Sequence, residues 1–211
     1  MKKAIFFDLD GTLWNAIEQI RDSWNEEMVK LNKPYRFTYK DIESHMGLTP
    51  IETVSIAFPG ISQDEGLALF KACFENEVKY LKNHLGTLYP NEKETILELS
   101  KKYPLYIVSN ADVGYIDNYV NGYIFNDIYS GFLCAGDTGF PKFKNILFLK
   151  DKERIDDVIY IGDTLKDKTE SIKAGVKFIH AAYGFGTIDN DEYFVNSFGE
   201  LPQKIEELFS K

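Results

Sequence analysis

The 211-residue sequence predicts an α/β fold, a doubly wound parallel sheet interrupted once by a helical insertion. Three observations carry this reading. Four short runs, AIFF (4–7), PLYIVSN (104–110), DVIYIGD (157–163) and VKFIHAA (176–182), are β-rich and nearly continuously apolar, as strands buried on both faces are. Helical patterns separate the later runs, and strand alternating with helix implies a parallel sheet. Residues 15 to 86 break the alternation, with good helical patterns and no convincing strand.

Taken in order, AIFF forms the first strand and runs directly into Asp8. In the insertion, Ile17, Ile20, Trp24, Met28 and Leu31 recur every three or four residues, which makes one apolar stripe on a helix. Thr49, Pro50 and Glu52 fit an N-cap, a first-turn proline and a capping-box acid. Ser62 and Glu65 repeat the box ahead of a stripe of Leu67, Phe70, Phe74, Val78 and Leu81. GTLYP (86–90) reads as the return linker, which sets the expected domains at 1–14 with 87–211 for the sheet and 15–86 for the helical insertion. The helix over 91–102 has Asn91 as its N-cap and Glu94 three residues on, and a last helix from Asp167 to Ala174 is closed by Gly175.

Composition excludes several functions. A net charge of -9 and a pI near 4.9 argue against nucleic acid and anionic membranes, both of which want a basic face. Cys73 and Cys134 fit no metal-ligand spacing and read as small buried hydrophobes of a reduced compartment. Lys2 and Lys3 precede an apolar run too short for a signal peptide, and no run approaches membrane-spanning length, so the expected location is the cytoplasm.

The chemistry lies in FFDLDGTL (6–13). Side chains at i and i+2 of an extended segment point the same way, so Asp8 and Asp10 leave the end of a buried strand aimed at one spot. Open α/β sheets bind ligands at that carboxyl edge. Ser109 and Asn110 end the second strand, and Asp163 ends the third with Asp167 four residues on. Four carboxylates at one edge repel, each pair about 5 Å apart costing roughly 3 kcal/mol at an effective dielectric near 20. A hard divalent cation removes that repulsion, and carboxylate, carbonyl and water ligands suit Mg²⁺.

DLDGTL (8–13), SN (109–110), a lysine near 142 and GDTLKD (162–167) resemble, in order and spacing, the motifs of the haloacid dehalogenase superfamily. The helical insertion, with LYP (88–90) and AAYGFG (181–186), is similar to its phosphoglycolate-phosphatase-like branch, whose Rossmann-like core carries a helical cap. The likeness implies a phosphatase in which Asp8 attacks a phosphoryl group to give an aspartyl-phosphate. A carboxylate of ordinary pKa near 4 needs no activating base for this. Asp10 would protonate the leaving oxygen and later activate water, which requires a raised pKa. The implied Mg²⁺ ligands are the Asp8 carboxylate, the Asp10 carbonyl and Asp163, with Asp167 in the outer shell or orienting a neighbour. Ser109, with Asn110 nearby, would bind a phosphoryl oxygen. An acid at position 10 favours phosphate esters over the dehalogenases, which carry a non-acidic residue there.

GFPKFKNILFL (139–149) departs from the pattern by placing its proline before the lysine. Lys142 and Lys144 compete as the catalytic, phosphate-binding lysine, and Lys142 is favoured because it falls at the loop-to-helix junction. Asn15 stands where an aspartate is frequent. Substrate contacts are expected from the cap, with His45 in SHMGLTPIE (44–52) and Arg21, with Arg36 beside it among only three arginines, as candidates. The expected partner is a small phosphorylated metabolite, phosphoglycolate or a sugar phosphate, and the chain is expected to act as a monomer or weak dimer. A β-phosphoglucomutase-like phosphomutase and a phospho-accepting signalling module are the alternative readings.

Overall fold

A computed structural model describes residues 1–211. Strand β1 (Lys3–Phe7) and the short β2 (Trp14–Asn15) precede four helices, α1 (Ile17–Lys30), α2 (Tyr39–His45), α3 (Pro50–Ala57) and α4 (Gln63–Leu81). After the short β3 (Thr87–Leu88) come α5 (Glu92–Ser100), β4 (Leu105–Ser109), α6 (Tyr115–Gly122), β5 (Tyr129–Cys134), α7 (Ala135–Thr138) and α8 (Lys142–Lys152). The chain ends with β6 (Asp157–Gly162), α9 (Leu165–Lys173), β7 (Lys177–Ala181), β8 (Phe194–Val195) and α10 (Leu201–Phe209). It divides into two compact units, Met1–Asn15 with Leu88–Lys211, and Ala16–Thr87.

The first unit is a six-stranded sheet in the order β5-β4-β1-β6-β7-β8, every pairing parallel. Setting aside the two short strands, this is the doubly wound order in which the first strand lies at the centre and the topology reverses beside it. Helices on both faces leave the central strands dry, so Ile5, Phe6, Ile107, Ile159 and Ile161 are fully buried or nearly so and need no polar alternation. At the edge, β5 alternates between covered and exposed positions. Its sequence YSGFLC mixes Ser and Gly with apolar residues, and that one-sided burial is why it did not read as a strand.

The helix after β3 starts differently from the expected cap. Asn91 is left-handed at φ 63° with no side-chain cap bond. Glu92 does the work instead, its Oε2 accepting from the Tyr89 amide at 3.1 Å and its Oε1 from the Tyr119 hydroxyl at 2.7 Å. At the other end of the unit, Gly175 closes α9 at φ 63°, a position where the missing Cβ lets the chain turn left-handed.

The helical unit forms from its caps and stripes. Thr49 and Glu52 make the reciprocal capping box that begins α3, and Thr38 and Asp41 make another for α2. Ser62 accepts from the Glu65 amide at 3.2 Å, but the Glu65 carboxylate pairs with Lys33 at 3.0 Å. On α1, Ile17, Ile20, Trp24 and Met28 are buried, whereas Leu31 lies past the helix and is 40% exposed. The buried stripe of α4 is Gly66, Leu69, Cys73, Glu77 and Leu81, and the expected Leu67, Phe70, Phe74 and Val78 are half-buried. A carboxylate inside the stripe hid it, because Glu77 is buried and its Oε2 accepts from Trp24 Nε1 at 2.5 Å. No helix is long and apolar enough to cross a membrane.

Candidate active site

Asp8 continues β1 beyond its last paired residue, its amide donating to the Ile161 carbonyl at 2.8 Å. The chain then folds back on itself, the Leu13 amide reaching Leu9 O at 2.8 Å and the Gly11 amide reaching Trp14 O at 3.0 Å. Gly11 is required twice over in this turn. Its φ is +77°, and a Cβ there would strike the Asp163 carboxylate.

The Asp8 side chain is nearly buried and meets Lys142, whose Nζ lies 2.9 Å from its Oδ1 and 2.5 Å from Asp167 Oδ1. Lys142 enters from the first turn of α8 and is itself buried. Asp167 is doubly employed. Its Oδ2 accepts from the amide and hydroxyl of Thr164 at 3.0 and 2.5 Å, closing the capping box of α9, so both of its oxygens are taken.

Asp163 completes the cluster, and ligand oxygens of Asp8, Asp163 and Asp167 lie within 4.8 Å of one another. Its Oδ2 accepts from the amides of Phe185 and Gly186 at 2.8 and 3.4 Å, so the AAYGFG segment serves to hold this carboxylate. Its Oδ1 is buried and has no partner. Burial, and next the charges of Asp167 and Asp8, push the Asp163 carboxyl well above the usual carboxylate range. Burial first, and then Asp167, raise Asp8 to about 7 against the opposing pull of Lys142. These dry surroundings oppose the ordinary acidity expected of Asp8, and Lys142 restores part of it. For Lys142, burial would lower the pKa, but the two carboxylates outweigh it and hold the ammonium above its ordinary value.

Asp10 stands apart from the cluster. Its Oδ1 accepts from Tyr115 Oη at 2.7 Å and from Trp14 Nε1 at 3.0 Å. Burial raises its pKa to about 6, with those two donors pulling the other way. Neither Tyr115 nor Trp14 stood out in the sequence, since each reads as an ordinary core aromatic.

The other candidates fall in different places. Ser109 is buried at the end of β4, its Oγ accepting from the Ala111 amide at 3.2 Å, and Asn110 follows it. Lys144 holds its ammonium over the Phe140 ring, 5.4 Å from the centroid. In the helical unit, Arg21 pairs with Asp22 at 2.7 Å, and the His45 ring is buried, stacked 5.9 Å from Trp24.

The family model for haloacid dehalogenase-like hydrolases matches residues 5–181. The chain belongs to that family. It is similar to the phosphoglycolate phosphatase of Haemophilus influenzae (strain 86-028NP), 25% identical over 222 residues that cover 94% of this chain and 96% of that one. In fold it resembles a haloacid dehalogenase-like hydrolase from Streptococcus pneumoniae, with a TM-score of 0.82 at 21% identity, covering 97% of this chain and 98% of that one. A protein described as a predicted phosphoglycolate phosphatase from Haemophilus somnus superposes equally well, with a TM-score of 0.82 at 21% identity, covering 96% and 97% of the two chains.

The donor set here is suited to a hard divalent cation. Asp8 and Asp167 share one cation, Lys142, and the third carboxylate of the cluster, Asp163, has a buried oxygen, Oδ1, with no partner. A metal taking that oxygen would satisfy it and offset the charge that Lys142 leaves uncompensated.

Proposed function

We propose that this haloacid dehalogenase-like hydrolase is a Mg²⁺-dependent phosphatase of small phosphorylated metabolites, of the phosphoglycolate or sugar-phosphate type, acting through an aspartyl-phosphate on Asp8. One observation carries the reading. Two carboxylates two residues apart have separate surroundings, Asp8 in the charged cluster with Lys142 and Asp10 on its own pair of neutral donors. Such a division assigns different roles to two otherwise alike groups. The curated phosphoglycolate phosphatase similar along nearly the whole chain supports the substrate class.

In this account Asp8 attacks phosphorus and the ester oxygen leaves, taking a proton from Asp10. Asp10 then removes a proton from the water that cleaves the aspartyl-phosphate, which returns both groups to their starting states. Lys142 and Ser109 hold the non-bridging phosphoryl oxygens, and Asn110 borders the same position. Asp167 holds Lys142 in place and begins α9 at the correct point. Mg²⁺ would be held by the Asp8 carboxylate, the Asp10 carbonyl and Asp163, with Asp167 adding charge behind them, and when bound it supplies positive charge for the transferring phosphoryl group. The proposed roles are confined to the sheet unit, since Arg21 and His45 are engaged with their own neighbours.

Phosphate release from 2-phosphoglycolate and from a set of sugar phosphates, with Mg²⁺ or EDTA, tests the reading. Metal-dependent turnover of one small substrate class is expected. Isomerisation of a sugar phosphate that requires a bisphosphate activator would replace hydrolysis by phosphomutase chemistry, and a stable phosphoprotein without turnover would replace it by signalling.

A further inference from the structure

Asp10 Oδ1 receives two hydrogen bonds, from Tyr115 Oη at 2.7 Å and Trp14 Nε1 at 3.0 Å. The donors are themselves fixed. Tyr115 is 2% exposed and Trp14 fully buried, and their rings meet edge to face with centroids 5.6 Å apart. Trp14 packs a second edge-to-face contact on Tyr119, whose hydroxyl is tied to Glu92. Tyr115 opens α6, directly after Gly114 at φ +87°, so backbone geometry as well as packing sets its hydroxyl.

Indole N–H can only donate, and a carboxyl oxygen accepting two bonds has its lone pairs committed. Protonation of Oδ1 would displace at least one of them. The protonated form of Asp10 therefore carries its hydrogen on Oδ2, and the same two bonds fix the torsion about Cβ–Cγ.

We propose that Tyr115 and Trp14 are positioning residues that hold Asp10 in one rotamer and confine its transferable proton to Oδ2 for donation to the leaving group. The proposal rests on the phosphatase reading above. In the step concerned, the phosphorus–oxygen ester bond breaks, the Oδ2 proton moves to the departing oxygen, and Asp10 is left as a carboxylate whose charge the two donors share on Oδ1.

The readout is kcat/KM for phenyl phosphate and for p-nitrophenyl phosphate, in Mg²⁺, with wild type and Tyr115→Phe. This quantity covers events up to phosphoryl transfer to Asp8, so the later hydrolysis does not enter. A p-nitrophenolate departs without needing a proton, whereas phenolate gains from one. Tyr115→Phe is expected to lower kcat/KM for phenyl phosphate about tenfold and for p-nitrophenyl phosphate less than about twofold, the loss of one charge-assisted bond. A merely structural role would lower both substrates alike. Equal losses, or no loss on phenyl phosphate, overturn the proposal. If Tyr115→Phe does not fold, as judged by circular dichroism, Trp14→Phe removes the other donor and its substrate ratio decides. Wild type without Mg²⁺-dependent turnover of either ester would sink the phosphatase reading and this proposal with it, whereas normal turnover and an unchanged ratio sink the proposal alone.

Discussion

Lys142 Nζ and Asp167 Oδ1 lie 2.5 Å apart, and the same Asp167 caps the helix that follows the third central strand. One carboxylate thus ties the start of α9 to the lysine that opens α8. The lysine's other partner is Asp8, so the orientation of Asp8 depends on a helix cap far along the chain.

Lys142→Met removes the cluster's positive charge while keeping most of the stem volume. Asp8 and Asp167 would then face each other uncompensated, and breaking a buried pair in this way costs about 3 kcal/mol or more. Urea unfolding should show that loss in EDTA, with part of it restored by Mg²⁺. A loss below about 1 kcal/mol, the range of a surface pair, would contradict the burial argument.

Asp163→Asn should separate stability from function. Removing its charge relieves repulsion from Asp167 and Asp8, so the variant in EDTA is expected to melt higher than wild type, by a few degrees for about 1 kcal/mol. Mg²⁺ should raise the melting temperature of wild type and leave the variant unmoved, since a ligand stabilises only the state that binds it. A variant that melts lower in EDTA, or that still responds fully to Mg²⁺, would argue against Asp163 as a metal ligand.

Glu92 gives the protein a pH dependence of its own. Burial raises its pKa from 4.5 to about 8, opposed by the bonds from Tyr119 and the Tyr89 amide. The folded chain keeps this proton where the unfolded chain has lost it, so the folded state binds more protons between those values. The stabilisation is complete below 4.5 and is lost as pH rises through 8, by up to about 1.4 kcal/mol per pH unit. Glu92→Gln mimics the neutral acid. Its stability relative to wild type should grow as pH increases across that window, and denaturant titrations at several pH values that run parallel for the two proteins would refute this.

The sheet was legible because strands buried on both faces leave unbroken apolar runs, and the loops at their carboxyl ends had to carry the polar residues. Asp8, Asp10, Ser109 and Asp163 are visible for that reason. What escaped was coded by packing. Strand β5 is half-exposed and mixes residue types, and the buried face of α4 includes Glu77, which breaks its apolar period. Tyr115 and Trp14 look like filler until their polar atoms are seen on Asp10. The raised pKa of Asp8 has the same origin, since burial is set by elements from the whole sheet and leaves no local mark. The Phe185 and Gly186 amides act through the backbone, which no residue type announces.

Asp8 is the proposed nucleophile of a metal-assisted phosphoryl transfer. Phosphate release from p-nitrophenyl phosphate, in Mg²⁺ and in EDTA, for wild type and Asp8→Asn tests it most directly. Turnover is expected from wild type in Mg²⁺ alone, and none from Asp8→Asn in either condition although it remains folded. Turnover that survives in Asp8→Asn would remove Asp8 from the chemistry.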